Sequence, residues 1–79
     1  MSSLFERLQA TMAATLKIPA EKLTPLTSQE ELPAWDSLGH VNLMMALEQS
    51  FDLYIEVEDF EVLQSVPAIL AYLQRHGHQ

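Results

Sequence analysis

Near the start of the chain, Phe5, Leu8, Met12 and Leu16 recur at the spacing that places apolar side chains on one face of a helix. Ser3 followed by Glu6 has the pattern of a capping box, so a first helix is predicted from Ser3 to Lys17. It should end ahead of Pro19, because proline cannot donate the helical hydrogen bond and restricts the residue before it. Pro19, Pro25 and Pro33, with Thr24, Thr27 and Ser28 among them, predict a long loop reaching Trp35, with room for one helical turn around Gln29 to Leu32. A second helix opens near Ser37 and carries Val41, Met44, Met45, Leu47 and Phe51 on a broad apolar surface. After Asp52, Val57, Phe60 and Leu63 suit a short third helix with acids on its outer face. Ser65 caps a fourth, with Pro67 in its first turn, Ala68, Ile69, Leu70, Tyr72 and Leu73 on its buried side, and Gly77 ending it after Arg75 and His76. No run alternates long enough to demand a strand. The expectation is a single all-α domain over residues 1–79, a small four-helix bundle with a long first loop and a short third helix.

The composition narrows what such a bundle can be. A chain of 79 residues with 48% hydrophobic positions buries a modest core, and without cysteine its stability rests on helix packing alone. The opening MSSLFERLQ lacks the basic start and apolar run of a signal peptide, and no stretch approaches the roughly 20 apolar residues that span a bilayer. A cytoplasmic protein that is neither membrane-bound nor metal-binding is therefore expected.

Charge adds a direction. Of the eleven acids, seven lie from Asp36 onward, where Arg75 is the one Lys or Arg residue, so −6 of the net −7 sits in that half. Such a surface repels nucleic acid and anionic membranes and attracts partners rich in Lys and Arg.

The stretch PAWDSLGHVNLMMALEQSF holds the candidate chemistry. Ser37 at the mouth of a helix is either a plain cap or a chemical handle, and Asp36 can cap the same turn. Trp35, just ahead of the cap, is expected to fold back on the first turn as a staple, the alternative being a partner contact. Met44 aligns with Leu47 and Phe51 as core. Met45 aligns with Leu38 and Val41, either as further core or as a surface on which partners dock, a role that methionine's flexible side chain suits. His40 shares a helix face with Ser37, but a catalytic Ser-His pair needs an orienting acid and oxyanion donors, and none is evident. It is expected to be exposed on the docking surface, with His76 and His78 in a polar tail.

The sequence Asp36-Ser37-Leu38, followed by Val41, Leu43, Met45-Ala46-Leu47-Glu48, Phe51 and Ile55, resembles the phosphopantetheine attachment region of acyl carrier proteins. The resemblance extends over nearly the whole chain. It implies a carrier that is not itself an enzyme, with 4′-phosphopantetheine transferred from coenzyme A to Ser37 and cargo held as a thioester on the arm. Asp36 would belong to the attachment site, and within the transferase complex would lie near that enzyme's metal. Leu38, Val41, Met45, Glu48, Glu56 and Asp59 would meet partners: the phosphopantetheinyl transferase, and the ligases, synthases or transferases that load acyl or aminoacyl units. A monomer is expected. Gly39, Asn42, Gln49 and Ser50 stand where fatty-acid-synthesis carriers often have acids, which points to a specialised pathway. The competing reading is an unmodified acidic helical interaction module, with Leu38, Val41 and Met45 as its binding stripe.

Overall fold

The computed structural model describes residues 3–77, and among these the ordered elements are helical, with no strand. Helix α1 spans Leu4–Leu16, α2 spans Ser37–Phe51 and α3 spans Val66–Arg75. Three single 3-10 turns, Ala20–Lys22, Gln29–Glu31 and Val57–Asp59, punctuate the connections. The all-α class is as expected, and the helical turn foreseen near Gln29 is present.

The capping box of α1 forms as its sequence predicts: Ser3 N–H donates to Glu6 Oε1 at 2.8 Å and Glu6 N–H donates to Ser3 Oγ at 3.1 Å. Leu4, Leu8, Met12 and Leu16 are the buried stripe, so Leu4 takes the place expected of Phe5, which is half-buried. The helix closes at Lys17 in the left-handed conformation (φ 58°), ahead of Pro19. At the head of α3, Ser65 Oγ accepts from Ala68 N–H at 3.2 Å, and Pro67 sits in the first turn where a missing N–H costs little.

The predicted third helix contracts to the turn Val57–Asp59. Its start has no side-chain cap, and Val57 and Val62 point to solvent, which leaves Leu63 and half-buried Phe60 as anchors. With so little apolar area to bury, i→i+3 bonds such as Phe60 N–H to the Val57 carbonyl (3.1 Å) carry the segment.

One core joins the three helices. Leu8 and Met12 of α1, Leu43, Met44, Leu47 and Phe51 of α2, and Val66, Ile69 and Leu73 of α3 are fully buried together with Leu23, Trp35, Ile55 and Leu63 from the connections. Each such side chain contributes about 1.5–3 kcal/mol of transfer free energy. Helix α1 packs mainly on α2 and also touches α3.

The long loop is held at several points that local sequence does not announce. Gln9 of α1 donates through Nε2 to the carbonyls of Ala20 (2.8 Å) and Leu23 (3.1 Å). Farther along, Gln29 N–H meets the Gln64 carbonyl at 2.8 Å and Val66 N–H meets the Thr27 carbonyl at 2.7 Å, an isolated antiparallel bridge between the loop and the head of α3. Tyr72, inside α3, has its phenol pushed up from the usual range by burial and by the Asp59 carboxylate that accepts its hydrogen bond, with Glu56 adding to this and Arg75 opposing it.

Two substitutions probe this framework. A Cβ on Gly39 would stand 2.9 Å from the Ala34 carbonyl oxygen and 3.1 Å from Leu16 Cδ2, so Gly39→Ala should lower stability by about 1–3 kcal/mol in urea unfolding despite alanine's better helix propensity. Glu48 Oε2 accepts from Ile55 N–H at 2.9 Å across the turn that leaves α2. Glu48→Ala should cost about 1–2 kcal/mol, and Glu48→Gln, which keeps an oxygen there, measurably less.

Candidate functional site

The head of α2 is built by three consecutive residues with separate tasks. Asp36 is the N-cap, its Oδ1 accepting from Gly39 N–H at 2.7 Å, and its carbonyl accepts from His40 N–H at 2.8 Å. Trp35 precedes it and is buried. Ser37 follows as the first helical residue, exposed, with no hydrogen bond to its Oγ among the described residues. Because Asp36 supplies the cap, the Ser37 hydroxyl is not consumed by the helix. The N–H groups of Ser37 and Leu38 lack an intrahelical acceptor, as the first groups of any helix do, so the hydroxyl stands at the positive end of the helix dipole.

Trp35 takes the structural alternative, and its partner at the staple position is His40. The indole Nε1–H donates to His40 Nδ1 at 2.9 Å, and the other ring nitrogen, Nε2, lies 2.6 Å from the Phe60 carbonyl oxygen. The expectation of an exposed His40 is therefore corrected: the imidazole is buried and edge-on to the Phe60 ring. An indole N–H and a backbone carbonyl give it one donor and one acceptor, which makes it a connector rather than a surface group. The signal was legible in principle, since Trp35 and His40 occupy the two positions of a staple.

Around Ser37 the predicted partner residues separate into two groups. Leu38, Val41 and Met45 are 72%, 43% and 48% exposed and lie along one face at helical spacing, which removes the core alternative for Met45. Glu56 is exposed as well. Glu48 and Asp59 are half-buried and engaged within the chain, Glu48 with the Ile55 amide and Asp59 with Tyr72. The exposed acids beyond α2 are Asp52, Glu56, Glu58 and Glu61, and exposed Val57 adds an apolar position among them.

A pocket of about 180 Å³ opens beside Ser37, walled by Gln29, His40, Val41, Phe60, Glu61 and Gln64. Sequence reading missed Gln29, Glu61 and Gln64, which no local motif connects to Ser37. Gln29 Oε1 is buried without a hydrogen-bond partner among the described residues. A larger groove of about 470 Å³ lies between the Asp59–Leu63 segment and α3, lined by Val62, Ala71, Tyr72 and Arg75. Among the described residues no cluster of His, Asp and Glu could hold a metal ion, and no helix is long and apolar enough to cross a membrane. His76 stacks on Tyr72 with ring centroids 4.4 Å apart, and His78 lies outside the described residues.

A small helical domain whose helix head is capped by Asp36, leaving the Ser37 hydroxyl unspent, is suited to carrying a group. The family model for the phosphopantetheine attachment site matches residues 6–73, from the first turn of α1 to Leu73 of α3. The match takes in all three helices and the whole loop system between them, so the chain belongs to the phosphopantetheine attachment family, as a non-catalytic carrier domain to which 4′-phosphopantetheine is covalently attached.

Proposed function

We propose that Ser37 is the attachment residue and that the chain is a carrier of the acyl-carrier type, holding acyl, polyketide or aminoacyl units as thioesters for enzymes of a specialised biosynthetic pathway. The observation that carries this reading is the exposed Ser37 hydroxyl, with Asp36 taking the capping bond at Gly39 N–H. In the attachment step Ser37 Oγ bonds to the phosphorus of coenzyme A that bears the pantetheine. The pyrophosphate linkage breaks, adenosine bisphosphate leaves, and the serine proton passes to a base of the transferase. The residues present fit the group. The unpaired N–H groups at the head of α2 favour a phosphodiester, and the unpartnered Gln29 Oε1 is a residual acceptor in the wall of the adjoining pocket for a group rich in amides. When bound, the arm supplies a terminal thiol for the thioester. Leu38, Val41 and Met45 offer partners an apolar stripe, and the acids beyond α2 steer them. Cytoplasmic enzymes are the natural company for such a chain.

Incubation with coenzyme A and a broad-specificity phosphopantetheinyl transferase should raise the intact mass by one phosphopantetheine. Ser37→Ala should show no gain while keeping its helical circular dichroism, and a modified alanine variant would refute the assignment.

Steering is tested separately. Glu56→Lys with Glu58→Lys reverses two exposed charges that have no hydrogen bond or ion pair among the described residues. The double variant should be modified about threefold to tenfold more slowly at low salt, with the deficit shrinking as the Debye length falls to roughly 8 Å at physiological ionic strength. Equal rates at low salt would remove these acids from docking.

A further inference from the structure

The pocket beside Ser37 has walls of two kinds. Val41 and Phe60 give it apolar surface, while Gln29, Glu61 and Gln64 bring amide and carboxylate groups. His40 also lines it but has no polar atom to spare, because one ring nitrogen meets the Trp35 indole N–H and the other the Phe60 carbonyl. The backbone places the two glutamines together: Gln29 N–H donates to the Gln64 carbonyl at 2.8 Å, beside the bridge that ties the loop to the head of α3.

Among the described residues, Gln29 Oε1 is the one buried side-chain oxygen or nitrogen without a hydrogen-bond partner. A buried acceptor left unpaired carries a desolvation cost that a donor would remove. The last torsion of a glutamine is broad and roughly two-fold, so Oε1 can turn from the wall into the cavity while the rest of the side chain stays in place. An alkyl chain would leave it unpaired there. A ligand that suits this pocket brings an O–H or N–H donor close to a small apolar group.

Ser37 lines the same pocket, so a group bonded to its Oγ begins there. Next to its phosphate, a 4′-phosphopantetheine arm has a carbon bearing paired methyl groups, then a carbon bearing a hydroxyl, then an amide. That order matches the walls: Val41 and Phe60 for the methyls, Gln29 Oε1 for the hydroxyl, and Glu61 or Gln64 for the amide N–H. Because the arm is tethered, the encounter is intramolecular, and one hydrogen bond with a small apolar contact is enough to seat it.

We infer that this pocket is a seat for the pantoyl root of the arm and that Gln29 holds its hydroxyl. The seat rests on the attachment to Ser37 proposed above. It fixes the direction in which the arm leaves the domain and leaves the thiol end free for partner enzymes.

The test uses the full chain after modification, with peptide mass mapping to locate the arm on Ser37. Coenzyme A labelled with carbon-13 in the pantoyl methyls supplies the probe. Nuclear Overhauser contacts should join those methyls to the Phe60 ring and the Val41 methyls, and the Phe60 ring current should shift them from their positions in free coenzyme A. Gln29→Met, close in size but without the amide, should gain the same mass and lower the seated-to-free ratio about threefold to tenfold, the contribution of one hydrogen bond. A coenzyme A analogue with the pantoyl hydroxyl replaced by hydrogen should cause the same loss on the wild-type chain and no further loss on Gln29→Met, since both changes remove one bond. The analogue arm needs no variant, so the test stands even where the substitution disturbs the loop. Methyl signals that match free coenzyme A, without contact to Phe60 or Val41, would overturn the seat and leave the attachment intact. A deoxy arm that seats as well as the natural one would overturn the assignment of Gln29. An arm found on another residue would overturn the attachment, and the seat with it.

Discussion

Trp35 carries an N–H that must be satisfied away from water, and the acceptor it finds, His40 Nδ1, belongs to the helix whose first turn Trp35 precedes. Leaving such a donor unpaired in a core costs about 1–3 kcal/mol, a large share of the stability of a domain this small. Much of the local architecture follows from this pairing. It folds the end of the long loop onto α2, directs the other face of the imidazole at the Phe60 carbonyl, and so sets where the chain must run after it leaves α2 at Asp52. The staple at the head of the helix is thus also the attachment point of a distant segment.

The same economy governs the acids. A carboxylate on the surface of a negatively charged domain adds repulsion, and those with backbone or hydroxyl donors within reach are used internally. Glu48 satisfies the Ile55 amide where the chain turns, Glu31 accepts from the Ser28 N–H and hydroxyl, and Asp36 satisfies Gly39. Asp59 takes the Tyr72 hydroxyl. Past α2, the charge that remains on display lies in Asp52, Glu56, Glu58 and Glu61, of which Glu61 shares a pocket wall with Val41 of α2. On the function proposed above, such an arrangement would suit a carrier visited in turn by several enzymes, with few and adaptable apolar contacts and long-range attraction raising the encounter rate.

Ser37 is left free because its neighbours meet the helix's needs. With Asp36 as cap and Gly39 small enough to lie against the Ala34 carbonyl, the first turn closes without recruiting the serine hydroxyl. A side chain at position 39 would push the turn off Leu16 of α1 and disturb the cap that keeps Ser37 available.

The helices, their caps and the buried stripe were legible in the sequence because each depends on neighbours within a turn: Ser3 with Glu6, Asp36 with Gly39, Ser65 with Ala68, and apolar residues three or four apart. The likeness around Asp36-Ser37-Leu38 identified the family for the same reason, since the motif is contiguous. What only the tertiary structure decided were contacts between residues far apart in the chain. The Val57–Leu63 segment has a helical pattern, yet it shrinks to one turn because the body of the protein offers it a small apolar footprint. Glu48 reads as an exposed helix acid until the returning chain brings the Ile55 amide to it. His40 has the same face as Ser37 on a helical wheel, and its burial depends on a carbonyl twenty residues away. Periodicity records which face of a helix is apolar, whereas the donor or acceptor that will meet a polar side chain is set by chain segments brought together only on folding.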